Sequence, residues 1–292
     1  MLEPRAGSAY VQLFATALFV AGFVALTDFT YDGSDLSGTF LCLLVFGGCG
    51  LGARWLGFGR LGGATESMVL IAAVSIAAPL CAALLASTNR PLADDALAFM
   101  DRVLFFGLER RMIADAVAHW PPLVLEATRL IYHSLAVQPY ILVTALFLAR
   151  QERRAWTFVS AWMGALILSV AIFPLAPAFG TPPYSLDFMS TLQGARDGTL
   201  RTLGTNALTG IVTFPSFHAA AAIVLGWGFS SLRRAALPFV LLNALMFASA
   251  LFAGGHYLVD LLAGAAIGCL AIVAAERMQS VITCRLKPAA DA

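Results

Sequence analysis

Residues 68–87 read MVLIAAVSIAAPLCAALLAS, an unbroken run with no charged side chain. About 20 apolar residues cross a bilayer as an α-helix, and lipid offers backbone groups no partner outside the segment. Seven further stretches invite the same reading: Ala9–Leu26, Leu36–Ala53, Leu123–Ala149, Ala155–Ala176, Phe217–Leu232, Ala235–Ala253 and Tyr257–Ala275. The second and sixth of the eight spans are short, and the fourth is interrupted by polar residues. Composition agrees, with 60% hydrophobic and 12% charged residues in 292, and a mean hydropathy of +0.82. Soluble domains hold about 45–50% apolar and about 25% charged residues. The expected fold class is therefore all-α, a polytopic membrane helix bundle of about eight transmembrane helices.

Charge placement orients the spans. Arg54 and Arg60 follow the second span, and Arg150, Arg153 and Arg154 the fourth. Arg233 and Arg234 follow the sixth, and Arg277, Arg285 and Lys287 the eighth. Alternating spans put all of these on one side, which the positive-inside rule makes cytoplasmic, together with both termini. The opposite loops carry Asp28, Asp32 and Asp35, then the mixed-charge stretch 88–122, then the loop 177–216. A net charge of +1 provides no basic face for nucleic acid. Four of the five cysteines (Cys42, Cys49, Cys81, Cys269, Cys284) lie in apolar segments without metal-ligand spacing, and read as small core residues. The first apolar run lacks a small-residue cleavage site and reads as a retained anchor. Between spans, Leu92–Trp120 alternates apolar and charged residues near helical spacing, as a brace lying in the membrane interface does.

Ionisable groups at membrane depth are costly, and three sets occur here. Phe214-Pro215-Ser216-Phe217-His218 lies where the long outer loop enters the sixth span, and Gly254–Asp260 where the seventh turns into the eighth. Glu126, Arg129, His133 and Gln138 lie in the fourth. Topology brings Ser216, His218 and His256 to one membrane face. His256 and Asp260 are four apart and share a helix face. The carboxylate can take the proton of one ring nitrogen and leave the other ready to react, with His218 as a separate acid on the facing helix. Phosphoryl transfer needs such a set: an in-line nucleophile, a proton for the leaving oxygen, and donors for the remaining oxygens. The amides after Pro215 open a helix, where an anion is favoured, and Ser216 adds a hydroxyl. No metal or other cofactor is required. His133, Gln138 and Asn243 have a structural role open to them as polar joints between helices.

At these residues the chain resembles the type 2 phosphatidic acid phosphatase superfamily. Pro215-Ser216-Phe217-His218 matches its Pro-Ser-x-His signature, and Ser249, His256 and Asp260 its later Ser-Arg-(x5)-His-(x3)-Asp signature. His256-Tyr257 and the surrounding Gly254–Gly264 look like its inositol-phosphorylceramide-synthase-like branch. The resemblance implies a six-helix phosphatase-like core over residues 66–292, including interfacial helix 92–120 and outer loop 177–216, preceded by two membrane helices in 1–65. It implies that His256 forms a phosphohistidine, His218 protonates the leaving alcohol, Asp260 orients His256 and Ser216 holds a phosphate oxygen. The substrate class implied is a phospholipid or lipid phosphate, handled outside the inner or plasma membrane by a hydrolase or transferase. Two features depart from the pattern. Ala250 replaces the signature arginine, and residues 173–183 (FPLAPAFGTPP) lack the basic residues of the usual Lys-(x6)-Arg-Pro motif. Arg129, Arg196 and Arg201 are then the candidate phosphate ligands, with His133 beside them. Two other classes use the same residues: a transporter relaying protons through His and Asp, and an intramembrane metalloenzyme ligated by His218, His256 and Asp260.

Overall fold

The computed structural model describes residues 4–107, 109–181, 185–233 and 236–286; Leu108, Pro182, Pro183, Arg234 and Lys287 lie outside them. Twelve α-helices follow one another among the described residues: α1 (Gly7–Ala25), α2 (Gly33–Trp55), α3 (Gly59–Ala86), α4 (Asp94–Leu104), α5 (Arg110–Ala118), α6 (Pro122–His133), α7 (Gln138–Leu148), α8 (Glu152–Ile172), α9 (Leu186–Asp197), α10 (Phe217–Phe229), α11 (Ala236–Ala253) and α12 (Leu258–Leu286). Six of them, α1, α2, α3, α8, α11 and α12, are long and apolar enough to cross a membrane. The protein is thus an all-α, multi-pass integral membrane protein.

The fourth expected span is present as a bent pair, Pro122–Ala136 and Gln138–Leu148, meeting at 54°. Pro139 lies in the first turn of α7, where its missing N–H costs nothing but where it disfavours a helical conformation in the residue before it. The sixth is α10, whose 13 residues reach only about 20 Å. The segment 92–120, expected to lie in the interface, is two short helices, α4 and α5. The loop 177–216 also has structure of its own: α9, a 3-10 turn at Thr205–Leu208, and strand β2 (Thr202–Leu203). β2 pairs in parallel with β1 (Thr30–Tyr31), Thr30 opposite Thr202. The expected division at 65/66 falls within the first two turns of α3.

Helices α3, α8, α10 and α12 pack together at the centre. The pair α1 and α2 lies against α3, α7 fills between α3 and α8, and α6 and α11 pack on each other beside α10. The tightest seam is between α10 and α12. A Cβ on Gly268 would lie 2.7 Å from the Ala220 carbonyl oxygen, and one on Gly264 would overlap that of Ser216. Small residues one turn apart let two membrane helices approach at backbone distance. Elsewhere polar side chains join spans, as the sequence suggested for Gln138 and Asn243: Asn243 Nδ2 donates to Gln138 Oε1 at 2.8 Å. The charge of Arg54 is met by Glu66, which also accepts the Tyr10 hydroxyl at 2.5 Å. Buried charge in lipid needs such pairing.

Candidate active site

The site forms where α10 and α12 begin. Ser216 caps α10, its Oγ accepting from the Ala219 amide at 3.4 Å, and its own amide donates to the Asp260 carbonyl at 3.1 Å. These bonds lock the first turns of the two helices together. Gly255, at φ +68°, makes the turn between α11 and α12 with a backbone conformation that glycine adopts freely. Its carbonyl accepts from the Thr181 amide of the loop 177–216 at 2.9 Å. Gly254 is equally confined, for a Cβ there would lie 2.8 Å from the Tyr132 ring.

This turn delivers His256, which is buried. Its Nδ1 lies 2.8 Å from the Thr213 carbonyl oxygen and 3.4 Å from Asp260 Oδ2. A carbonyl oxygen only accepts, so Nδ1 carries a proton, and in the neutral ring Nε2 is then the nitrogen with the lone pair. The sequence suggested Asp260 as the orienting group; the nearer acceptor is Thr213, a residue that motif reading does not reveal. Asp260 Oδ2 is itself held by the Tyr257 amide at 2.8 Å. His218 stacks on Tyr132, with centroids 3.8 Å apart and planes within 13°, and its ring centroid is 6.4 Å from that of His256.

Both histidines line a cavity of about 830 Å³. Arg129 and His133 line it too, three positions before and one after Tyr132, the ring on which His218 stacks. Below them the cavity follows one face of α3: Ile71, Ser75, Ala78, Pro79 and Ala82. From Ala82 to Ile71 this wall descends about 16 Å at 1.5 Å per residue, and Trp162, Leu166 and Val170 of α8 face it.

Three of the expected ligands lie off the cavity. Ser216 is fully buried as a cap, so its hydroxyl serves the backbone. Arg201 is carried away by the β1–β2 pairing and sits over Phe29, 5.1 Å from the ring centroid. Arg196 donates to the Arg90 carbonyl oxygen at 2.9 Å and lines a separate, smaller cavity with Asn89 and Gln193. The departure at Ala250 also has a physical setting: it is fully buried against Ala219 and Leu261, with Tyr132 packed on the same cluster. That space leaves no room for an arginine.

Two carboxylates absent from the sequence-derived site support it from α4. Asp101 accepts the Leu258 and Val259 amides at 2.9 and 2.8 Å, capping α12. Asp94 accepts the Phe179 and Gly180 amides at 3.1 and 2.9 Å and the Tyr257 hydroxyl at 3.2 Å. Both lie on the buried side of α4 with Leu97 between them. Acidic residues spaced seven apart on the side that also carries Leu97 were the signal in the sequence. Among the described residues no three His, Cys, Asp or Glu side chains are placed to hold a metal ion.

Fold and site together define a multi-pass membrane protein with a paired-histidine centre where its helices open to one face. Residues 95–274, more than half of the chain, match the family model described as the PAP2 superfamily, and the chain belongs to that superfamily. Comparisons with curated proteins and with solved structures give no match. Membership points to lipid-phosphatase-type chemistry.

Proposed function

We propose that this protein transfers the phosphoryl group of a lipid phosphate through a phosphohistidine on His256. The observation that carries the reading is the shape of the cavity, with both histidines and Arg129 at its polar end and an apolar wall running down α3. A headgroup phosphate and its hydrocarbon tail need those two environments in that order. His256 Nε2 attacks phosphorus, the N–P bond forms, the ester P–O bond breaks, and His218 gives its proton to the departing alkoxide. The Nδ1–H of the resulting imidazolium stays bound between Thr213 O and Asp260. In the second step an acceptor hydroxyl attacks phosphorus, its proton returns to His218, and the N–P bond breaks. With water as acceptor the product is phosphate; with a lipid alcohol it is a new lipid phosphate. The chemistry uses two histidines and asks for no metal.

The basic helix ends lie opposite the histidines, and by the positive-inside rule this supports a reaction at the extracytoplasmic face of the inner or plasma membrane. Incubating purified protein with a panel of lipid phosphates, and following both free phosphate and new lipids, tests the reading. An acid-labile phosphoprotein trapped during turnover supports it. Neither product from any lipid phosphate would end it.

A further inference from the structure

At the other end of the bundle lies a second cavity, of about 1040 Å³. Six arginines line it: Arg5 before α1, Arg60 at the start of α3, Arg150, Arg153 and Arg154 around the α7–α8 turn, and Arg277 near the end of α12. Among the described residues two carboxylates share the lining, Glu152 and Glu276, and Arg5 reaches Glu152 at 3.9 Å. Arg60, Arg150, Arg153 and Arg277 have no carboxylate at ion-pair distance among the described residues. Arg54, on the same side of the bundle, shows the contrast, for its charge is met by Glu66.

Arg154 is held in place. Its guanidinium carbon lies 3.5 Å from the centroid of the Trp227 ring, and its Nη2 donates to the Trp227 carbonyl oxygen and, at 3.3 Å, to Ser230 Oγ. Thr157 and Ser280 add hydroxyls to the lining. Topological charge bias requires basic residues in loops, but it does not require them to converge on a cavity or one of them to be fixed there. Guanidinium forks match phosphate oxygens two at a time, and basic pockets between membrane helices suit anionic headgroups.

We propose that this cavity is a binding site for a phosphate-bearing anion, supplied either by the headgroup of an anionic lipid in that leaflet or by free phosphate. It is independent of the chemistry at His256, which lies across the length of α8, about 30 Å for 21 residues. The cavity's excess of positive charge, six arginines against two carboxylates, is then neutralised by the ligand, which stabilises the helix ends around it.

The test uses the full-length protein in phosphatidylcholine nanodiscs with and without phosphatidylglycerol, and in detergent with and without inorganic phosphate. The readout is the thermal unfolding midpoint, for wild type, the triple variant R150Q/R153Q/R277Q and the triple variant R150K/R153K/R277K. In pure phosphatidylcholine all three should unfold together, because the three side chains lack carboxylate partners. At least one probe should raise the wild-type midpoint. The glutamine variant should lose that shift, and the lysine variant should need about tenfold more probe, since lysine keeps the charge but loses the fork. A shift with phosphate in detergent identifies a soluble ligand; a shift with phosphatidylglycerol alone identifies the headgroup. No shift with either probe, a glutamine variant that responds like wild type, or a lysine variant that binds like wild type would overturn the proposal. The last result would reduce the cavity to diffuse surface charge.

Discussion

Asp101 Oδ1 accepts the Val259 amide at 2.8 Å across 158 positions of sequence, so a carboxylate on α4 caps the helix that carries Asp260. The other face of α4 shows Phe99, Met100 and Val103 to the surroundings. The helix thus pairs an exposed apolar side with a side that fixes the start of α12. Replacing an acidic cap costs about 1 kcal/mol of stability in most helices. Here the displaced amides are next to the His256 turn. Asp101→Asn keeps the volume but turns an N–H donor toward one amide, and should lower kcat several-fold while leaving KM nearly unchanged. Asp101→Glu should recover part of the loss. Steady-state kinetics and thermal unfolding of the same preparations check this; a change in unfolding without one in kcat would make Asp101 purely structural.

His256→Ala should remove turnover by at least about a thousandfold, since a nucleophile has no substitute in the site. Asp260→Asn should cost less, about ten- to a hundredfold. The Thr213 carbonyl at 2.8 Å still selects the Nδ1–H tautomer when the carboxylate at 3.4 Å is gone. The residual loss reflects imidazolium stabilisation, where each factor of ten is about 1.4 kcal/mol of barrier. Robust activity in His256→Ala would rule out the phosphohistidine.

His218 should matter in proportion to how badly the leaving group needs a proton. His218→Ala should be severe on an alkyl lipid phosphate and partly rescued by an activated aryl phosphate. Tyr132 stacks on the His218 ring at 3.8 Å, and its role there is served by the aromatic face alone. Tyr132→Phe should therefore behave as wild type on both substrates, while Tyr132→Ala should follow the His218→Ala pattern. Equal losses of His218→Ala on alkyl and aryl substrates would take the acid role away from it.

The spans and the two histidine motifs were legible because each depends on a local pattern: a charge-free run of about 20 residues, or a signature a few residues long. What escaped the sequence depends on distant pairing. Nothing local to Arg201 reveals that the next two residues pair with Thr30 and Tyr31, yet this pairing takes its guanidinium to Phe29. The supporting roles of Asp94 and Asp101 were not legible, because their partners are backbone amides 85 and 157 positions away. The fourth span showed in the sequence only as a run interrupted by polar residues; where it bends, and by how much, depends on packing against α3 and α11.

The last prediction concerns the charge that the phosphate brings. Ala250 occupies the position of the family's arginine and is enclosed by Ala219 and Leu261, so another cation has to serve. Of the three arginines the sequence offered, Arg129 alone lines the histidine cavity. Its Nη1 is paired with Glu126 at 2.8 Å, with both side chains 62% exposed, and an ion pair so open to water is worth at most about 1 kcal/mol. Turning Arg129 from Glu126 to a phosphate therefore gives up little, and two charge-assisted bonds to one anion more than replace it. Arg129→Lys should lower kcat/KM about tenfold through loss of the fork, and Arg129→Gln should lower it further. Glu126→Gln should leave activity unchanged or slightly raised. Arg196→Lys and Arg201→Lys should match wild type, because one is bonded to the Arg90 carbonyl oxygen and the other lies over Phe29. Parallel kcat/KM measurements on a lipid phosphate decide the matter. Full activity in Arg129→Lys would mean that the site neutralises phosphate without a shaped arginine contact, and the assignment of Arg129 would have to be abandoned.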